Sequence, residues 1–103
     1  MFGNIGEMMK LQKQFKDIQK RIKKAEHNGE SGDTSVKVTV NGEFELVSIS
    51  IDDELVKNGD RKKIEKNVQM AVNNAVEKGK SFAAAQMKEL TGGLPIPGLS
   101  DLF

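Results

Sequence analysis

The sequence predicts an α+β fold in which a long helix, a small antiparallel β-sheet and a second long helix follow one another. Apolar residues recur at spacings of three and four before residue 27 and again after residue 60, and they alternate with polar residues between positions 35 and 40. The length of 103 residues suffices for one domain. We expect a single α-β-α domain over residues 1–90 and a flexible Gly/Pro-containing tail over residues 91–103.

The first helix is predicted from a narrow apolar stripe that repeats every three or four residues. No Pro or Gly interrupts the chain between Glu7 and Glu26, and Asn4 is a candidate N-cap. So narrow a stripe is typical of packing against one or two other helices, so most of the helix surface is left to water or a ligand. The stripe consists of Met8, Leu11, Phe15, Ile18, Ile22 and Ala25.

A β-hairpin is predicted after the turn formers at residues 28–33. Val36, Val38 and Val40 alternate with polar residues, Asn41-Gly42 forms a turn, and a second strand runs from Glu43 to Ile51. A two-residue loop would pair Val38 with Glu45. A three-residue loop would pair Val38 with Phe44 and Val36 with Leu46, and we favour this register because it sets apolar side chains opposite one another.

The apolar positions of the second strand change parity beyond Leu46, to Val47, Ile49 and Ile51. This strand therefore either bulges near Leu46 or buries parts of both faces. One helical layer would not cover two apolar faces, and apolar residues make up only 37% of the chain. Both observations favour a homodimer that shares a core, although a bulge in a monomer explains the parity change as well.

The second helix is predicted to start after Asp60, a candidate N-cap that follows the strand-ending residues 52–55. Its apolar face is broader than that of the first helix, which indicates a core element, and Gly79 marks either a bend or a close contact with another helix. Gly and Pro end the helix after Thr91, and the tail is expected to be mobile or docked on another surface through Leu94, Ile96 and Leu99. The apolar face consists of Ile64, Val68, Ala71, Val72, Ala75, Val76, Phe82, Ala83, Met87 and Leu90.

Charge is distributed unevenly, although the net charge is only +1. Residues 1–28 and 61–90 each hold seven basic and three acidic residues, whereas residues 29–60 hold two basic and eight acidic ones. Basic residues of the first helix recur at spacings near three and four outside its apolar stripe, and few acids interrupt them. Such a stripe is either a solvated helix face or a surface that attracts the phosphate backbone. Its members are Lys10, Lys13, Lys16, Lys20, Lys23 and Lys24.

No residue constellation points to catalysis. Cysteine is absent, and His27 has no second imidazole near it in sequence, so we interpret it as an exposed residue at the helix end. The acids between Asp52 and Asp60 lack calcium-loop spacing, and Gly92-Gly93 lacks the residues of a phosphate-binding loop. We expect a cytoplasmic protein that is not an enzyme, with no cofactor, metal, small-molecule substrate or membrane span.

Five segments together resemble the YbaB/EbfC family of bacterial nucleoid-associated proteins. The likeness covers essentially the whole chain, although Asp53 stands where many members of the family have Pro. The segments are Met1 to Lys10, Gly29-Glu30-Ser31-Gly32, Val36 to Gly42, Ile49-Ser50-Ile51-Asp52, and Thr91-Gly92-Gly93-Leu94 with Pro97-Gly98-Leu99.

The resemblance implies a third short strand near Ala25–Glu30 and a homodimer whose helical arms project like tweezers and bind double-stranded DNA. It also implies a role in nucleoid organisation and gene expression. The positions carried across are the positive charges of the helices, which are Lys13, Lys16, Lys20, Arg21, Lys23 and Lys24, together with Lys78, Lys80 and Lys88.

We therefore predict a homodimeric, nucleoid-associated protein that binds double-stranded DNA with low sequence selectivity. Low selectivity follows from residue type, because lysine is a point charge and only Arg21 and Arg61 offer the bidentate fork that reads guanine. The alternative is a prefoldin-like module that grips other proteins with its helix tips. Exposed apolar tips would favour that alternative, and a lysine-covered first helix favours DNA.

Overall fold

The computed structural model describes residues 5–91 and confirms the predicted α+β order. Asn4 and the tail, on which two of the sequence predictions fall, lie outside these residues. The third strand that the family resemblance implied is present as β1. The elements are α1 Ile5–Lys24, β1 Glu26–Glu30, β2 Val36–Asn41, β3 Leu46–Ile51, α2 Asp53–Asn58 and α3 Arg61–Thr91.

The three strands form an antiparallel sheet in the order β1-β2-β3. Helix α1 ends at Lys24 rather than continuing to Glu26, because residues 26–30 pair with β2 from Asn41 back to Lys37. The predicted turn cluster is correspondingly shorter. Residues 28–30 belong to β1, and the turn that follows is closed by the Ser31 amide, which donates to the Val36 carbonyl at 2.9 Å.

The predicted hairpin register is wrong. Val38 pairs with Ile49 and Val36 with Ile51, because the loop between β2 and β3 spans residues 42–45 instead of ending at Gly42. The Asn41 Oδ1 atom organises this loop by accepting hydrogen bonds from the backbone amides of Glu43 at 2.9 Å and Glu45 at 3.0 Å. Of the two alternatives left open for the second strand, the structure has the bulge near Leu46: Thr39 pairs with Ser48 but Val40 with Leu46, so Val47 is the additional residue.

The sheet has one apolar face and one polar face, and α3 packs on the apolar face along β1 and β2. Val36, Val38 and Val40 are fully buried there against Ala71 and Ala75. Gly29 of β1 lets the helix approach closely, because a Cβ atom at this position would overlap the Ala71 carbonyl oxygen and the Ala75 amide nitrogen. We call this sheet and helix packing the central core.

Two local features lie beside the central core, a short helix and the cap at the start of α3. The sequence pattern did not predict α2, a short helix that contributes buried Leu55 and ends at Gly59 in the left-handed conformation, with φ of 69°. The predicted cap of α3 is present, since the Asp60 carboxylate accepts a hydrogen bond from the Lys63 amide at 3.1 Å.

Strand β3 extends beyond the part of the sheet that α3 covers. Ile49 and Leu46 pair with Val38 and Val40 and therefore share their apolar face, because directly opposed residues point to the same side of a sheet. Nevertheless, Leu46 is 52% exposed and Ile49 is 45% exposed. The apolar face of the sheet is thus wider than the single helix that packs on it.

Helix α1 packs antiparallel on the last third of α3. Ile18 and Ile22 are buried with Ala83 and Met87, while Phe15, Phe82 and Leu90 are partly buried at the margin. We call α1 together with residues 79–91 of α3 the helical arm. The predicted stripe is confirmed from Phe15 to Ile22, but Ala25 follows the helix, and Met8 and Leu11 at its other end remain exposed.

His27 does not occupy the exposed helix end predicted from the sequence. It lies in β1, is half-buried, and its ring packs against Phe82 with centroids 5.2 Å apart. The expectation was wrong because the helix stops at Lys24, and His27 is then carried to the sheet face that α3 covers. Gly79 of α3 makes room for it, since a Cβ atom there would lie 3.1 Å from the imidazole Cδ2. Of the alternatives predicted for Gly79, a bend or a close contact with another helix, the structure has a close contact, but its partner is the sheet and not a helix.

Candidate nucleic-acid interface

The basic residues of α1 lie mainly on the helix face opposite its apolar stripe. Residues turn by about 100° per position in an α-helix, which sets the lysines roughly half a turn from Ile18 and Ile22. Because Ile18 and Ile22 pack against α3, this basic face points away from α3 and into solvent. We define the basic face as Lys13, Lys16, Lys20, Lys23 and Lys24, all of which are exposed.

The side chains of the basic face are not neutralised by neighbouring acids. Helix α1 holds seven basic residues and two acidic ones, Glu7 and Asp17. Within residues 5–91, Lys10 and the lysines of the basic face form no ion pair, whereas Arg61 pairs with Glu65 at 3.5 Å on α3. The positive charge of α1 is therefore available to an external polyanion.

Arg21 and Lys10 lie at the edge of this surface. The Arg21 guanidinium donates a hydrogen bond from Nη1 to Oε1 of Gln86 on α3 at 2.8 Å, so it links the two helices of the arm. Lys10 is exposed and lies about a quarter turn from the centre of the basic face. The sequence did not indicate the tie between Arg21 and Gln86, because 65 residues separate the partners.

The three α3 lysines predicted from the sequence do not join the basic face of α1. Lys78 and Lys80 are two positions apart and so lie on opposite flanks of α3, while Lys88 is on the exposed side of the arm. Lys78 borders a shallow groove beside the turn between β1 and β2, where Thr34 and Met70 are its neighbours. The lysines of the basic face therefore lie together on one side of α1, whereas the three α3 lysines lie on different sides of α3.

The turn between β1 and β2 holds a polar network that fastens the sheet to α3. The Asp33 carboxylate accepts hydrogen bonds from the Ser35 hydroxyl at 2.6 Å, the Ser35 amide at 3.0 Å and the Ser31 hydroxyl at 2.8 Å. Asn67 of α3, which is buried, donates to both Asp33 oxygens. These donors, the Ser35 hydroxyl first, hold the pKa of Asp33 far below its ordinary value of 3.8.

Two further kinds of feature, a metal cluster and a membrane-spanning helix, were sought within residues 5–91. Residues 5–91 contain no cluster of three or more His, Cys, Asp or Glu side chains placed to hold a metal ion. None of the helices they form is both long and apolar enough to span a bilayer. The candidate site is the basic face of α1, because five exposed lysines on one helix face point to a polyanionic ligand.

A family model for the YbaB/EbfC DNA-binding family matches residues 1–94. This chain belongs to the YbaB/EbfC DNA-binding family. The resemblance noted from five sequence segments is thereby confirmed, and the description of the family agrees with a surface of unpaired lysines.

Relatives of similar length are designated nucleoid-associated proteins. The chain is 38% identical over 101 residues to a nucleoid-associated protein of Clostridium kluyveri. This match covers 94% of this chain and 89% of that protein. It is also 38% identical over 95 residues to a nucleoid-associated protein of Clostridium acetobutylicum, and this match covers 92% of this chain and 85% of that protein. These relatives favour the YbaB/EbfC assignment over the prefoldin-like alternative.

The fold is also found among solved structures. The crystal structure of an uncharacterized protein from Helicobacter pylori matches with a TM-score of 0.58 at 25% sequence identity, and the match covers 84% of this chain and 98% of that one. The arrangement of two long helices around a three-stranded sheet is thus found in an experimentally determined structure.

Proposed function

We propose that this YbaB/EbfC protein is a cytoplasmic, nucleoid-associated homodimer that binds double-stranded DNA through phosphate contacts and with low sequence selectivity. By coating or shaping DNA in this way it would affect nucleoid organisation and gene expression. No chemical transformation is needed for this role. The observation that carries the proposal is the basic face of α1, which is exposed, unpaired and directed away from α3.

The dimensions of the basic face suit a duplex. Lys13 and Lys24 are separated by about 16 Å along the helix axis. Double-stranded DNA carries one phosphate charge per roughly 1.7 Å of its length, so this distance corresponds to about ten phosphates. Five lysines on one face are therefore enough to neutralise a substantial part of the charge that they meet.

The low DNA sequence selectivity follows from the kind of basic side chain that is exposed for binding. Both arginines with a bidentate fork are engaged within the chain, Arg21 with Gln86 and Arg61 with Glu65. The cations of the basic face are lysines, which contact phosphates as point charges and do not read base edges. Affinity should consequently depend strongly on salt concentration and weakly on DNA sequence.

The uncovered part of the sheet supports a homodimer. Leu46 and Ile49 extend the apolar face beyond α3, and Val47 adds apolar surface at the bulge. A second copy placed there would cover these side chains and would supply a second basic face. If the dimer neutralised about six phosphates, the logarithm of affinity would fall with a slope near −5 against the logarithm of salt concentration.

The decisive experiment reverses the charge of the basic face and measures DNA binding. The triple variant Lys16→Glu, Lys20→Glu and Lys23→Glu should lose detectable binding to duplex DNA in a gel-shift titration at low salt. Circular dichroism should remain that of the native protein, because all three side chains are exposed. Retained binding by a folded variant would reject the basic face as the contact surface.

A matched control separates this surface from net charge. Lys62, Lys63 and Lys66 are also exposed, and they lie in the first two turns of α3, where acidic residues are compatible with the helix dipole. Changing these three to Glu alters net charge by the same amount and should weaken DNA binding much less. Equal losses in the two triple variants would show that overall charge, and not the basic face, controls binding.

The dimer is tested separately. Ile49→Glu places a charge on the uncovered part of the sheet, where Ile49 is 45% exposed in one chain, and circular dichroism checks that the variant folds. The native protein should sediment at twice the monomer mass at micromolar concentration, and the variant at the monomer mass. A native protein that sediments as a monomer would contradict the shared core.

A further inference from the structure

The apolar stripe of α1 continues past the end of its partner helix. Phe15, Ile18 and Ile22 pack on α3, but the next two members of the stripe, Leu11 and Met8, are 55% and 57% exposed. These two residues lie on the same side of α1 as the packed ones, since spacings of three and four preserve the helix face. We call Met8 and Leu11 the open stripe.

The open stripe faces the direction in which the chain leaves α3. The two helices run antiparallel, and Leu90 belongs to the same cluster as Phe15. A helix that went on past residue 91 would lie beside Leu11 and Met8, but Gly92-Gly93 and the two prolines that follow do not favour a continued helix. The last described turn of α3 therefore ends next to the open stripe.

We propose that the C-terminal segment Leu94–Leu99 docks on the open stripe of the same chain, with Leu94 and Ile96 covering Leu11 and Met8. The segment lies outside the described residues, and its sequence suits this role. Leu94 and Ile96 each precede a proline, which biases both residues toward an extended backbone. Such a backbone presents apolar side chains at low entropic cost.

The distances agree with docking in the same chain. Leu11 lies about 6 Å beyond Phe15 along α1, and Met8 lies about 4.5 Å further. Four extended residues span at most about 13–14 Å, so the chain from Leu90 to Leu94 is long enough to reach Leu11. From Leu94 to Ile96 the extended chain advances about 6–7 Å, which is comparable to the separation of the two α1 side chains.

Tethering favours this segment over other occupants. Two or three residues link it to a helix that already packs on α1, so its local concentration at the open stripe is on the order of millimolar. A second copy has a different apolar surface to cover, at Leu46 and Ile49. Docking would leave the basic face of α1 open, since the basic face and the open stripe lie on opposite sides of the helix.

Disulfide trapping tests the proposal in the full chain, which contains no native cysteine. The double variant Met8→Cys with Ile96→Cys should oxidise to an intramolecular disulfide at least tenfold faster than Lys13→Cys with Ile96→Cys. In the second variant the helical cysteine is on the opposite side of α1. Non-reducing electrophoresis separates the cross-linked monomer from a cross-linked dimer, and circular dichroism confirms that both variants fold.

Each outcome decides the question. Fast cross-linking at monomer mass for the Met8 variant supports docking in the same chain. Equal rates for the two variants would show that the segment has no preferred position, and a disulfide found mainly at dimer mass would assign the open stripe to a second copy. Either of these results would overturn the proposal.

A second measurement does not depend on engineered disulfides. Leu94→Ser with Ile96→Ser should raise amide hydrogen exchange in residues 5–14 at least fivefold and leave residues 36–40 of β2 unchanged. Ser100→Ala is the matched control, because it lies in the same tail but outside the proposed contact. Unchanged exchange in residues 5–14 would contradict docking.

Discussion

The central core and the helical arm are built from the same helix α3 but are packed in different ways. In the central core, Val36, Val38 and Val40 are enclosed between the sheet and Ala71 and Ala75. In the arm, Ile18 and Ile22 are buried but the flanking residues are only partly covered, and the stripe ends in exposed Leu11 and Met8.

Helix α3 meets its two partners differently because of the residues at the contact. Alanines and Gly29 allow the helix backbone to approach the sheet closely, which produces a buried, close-packed contact. Along the arm, larger side chains such as Met87 and Phe82 keep two helices apart in an ordinary antiparallel pair. The central core thus specifies the fold, and the arm displays the charges that we propose bind DNA.

The largest expected effect is at the point of closest approach in the central core. Gly29→Ala should cost about 3 kcal/mol or more, because the added Cβ would overlap backbone atoms of Ala71 and Ala75 that cannot move aside independently. Urea unfolding followed by circular dichroism measures the loss. Gly32→Ala is the control in the adjacent turn, where the nearest atom to the new Cβ is Met70 Sδ at 3.8 Å. Similar urea midpoints for the two variants would contradict the conclusion that α3 leaves no space for a Cβ atom at Gly29.

An intermediate effect is expected in the arm. Ile22→Ala removes a buried side chain and should cost about 2–3 kcal/mol, toward the lower end for such truncations because a half-open cluster can relax. Met9→Ala, an exposed position off the stripe, should change stability by less than about 0.5 kcal/mol. Hydrogen exchange should rise in α1 and residues 82–90 but not in β2. Equal acceleration in β2 would show that arm and core unfold as one unit.

The sequence predicted well those features that depend on periodicity. Both long helices, the strand of alternating valines, the Asp60 cap and the bulge near Leu46 follow from spacing and local propensity. The hairpin register was mispredicted because the Asn41 side chain organises a longer loop, an interaction that a tight-turn rule does not contain. His27 was misplaced because the pairing of residues 26–30 with β2, which is not local, ends α1 early.

For the candidate site, residue type and helical spacing were sufficient to find the α1 lysines on one exposed face. Spacing within one helix could not show that Arg21 is tied to Gln86, or how the lysines of α3 are oriented relative to those of α1. Relations between helices depend on tertiary packing, and one sequence carries little information about that.

A smaller, pH-dependent effect is expected at the turn that fastens the central core to α3. The pKa of Asp33 is lowered in the folded state, so its ionised form contributes stability that is complete above the ordinary value of 3.8 and is lost as the pH falls below it. Asp33→Asn should lower the urea midpoint at pH 7, and its deficit relative to the native protein should shrink between pH 4 and about 2. Asp53→Asn is the control, as an exposed acid outside the network. A deficit that stays constant over this range would contradict the role of the ionised carboxylate.

The smallest effect is expected where the central core meets the arm. The Nε2 atom of His27 is buried and finds no hydrogen-bond partner within residues 5–91, so the imidazole contributes there chiefly through packing against Phe82. His27→Phe keeps a ring at this position and removes the unsatisfied nitrogen, which should stabilise the folded state by about 1 kcal/mol. The larger phenyl ring partly offsets this gain because it has to fit into the same space. Thermal unfolding should therefore show a melting temperature equal to or slightly above that of the native protein, whereas His27→Ala, which leaves a cavity, should lower it. If the Phe variant were destabilised as much as the Ala variant, His27 would be held by a polar interaction and not by packing.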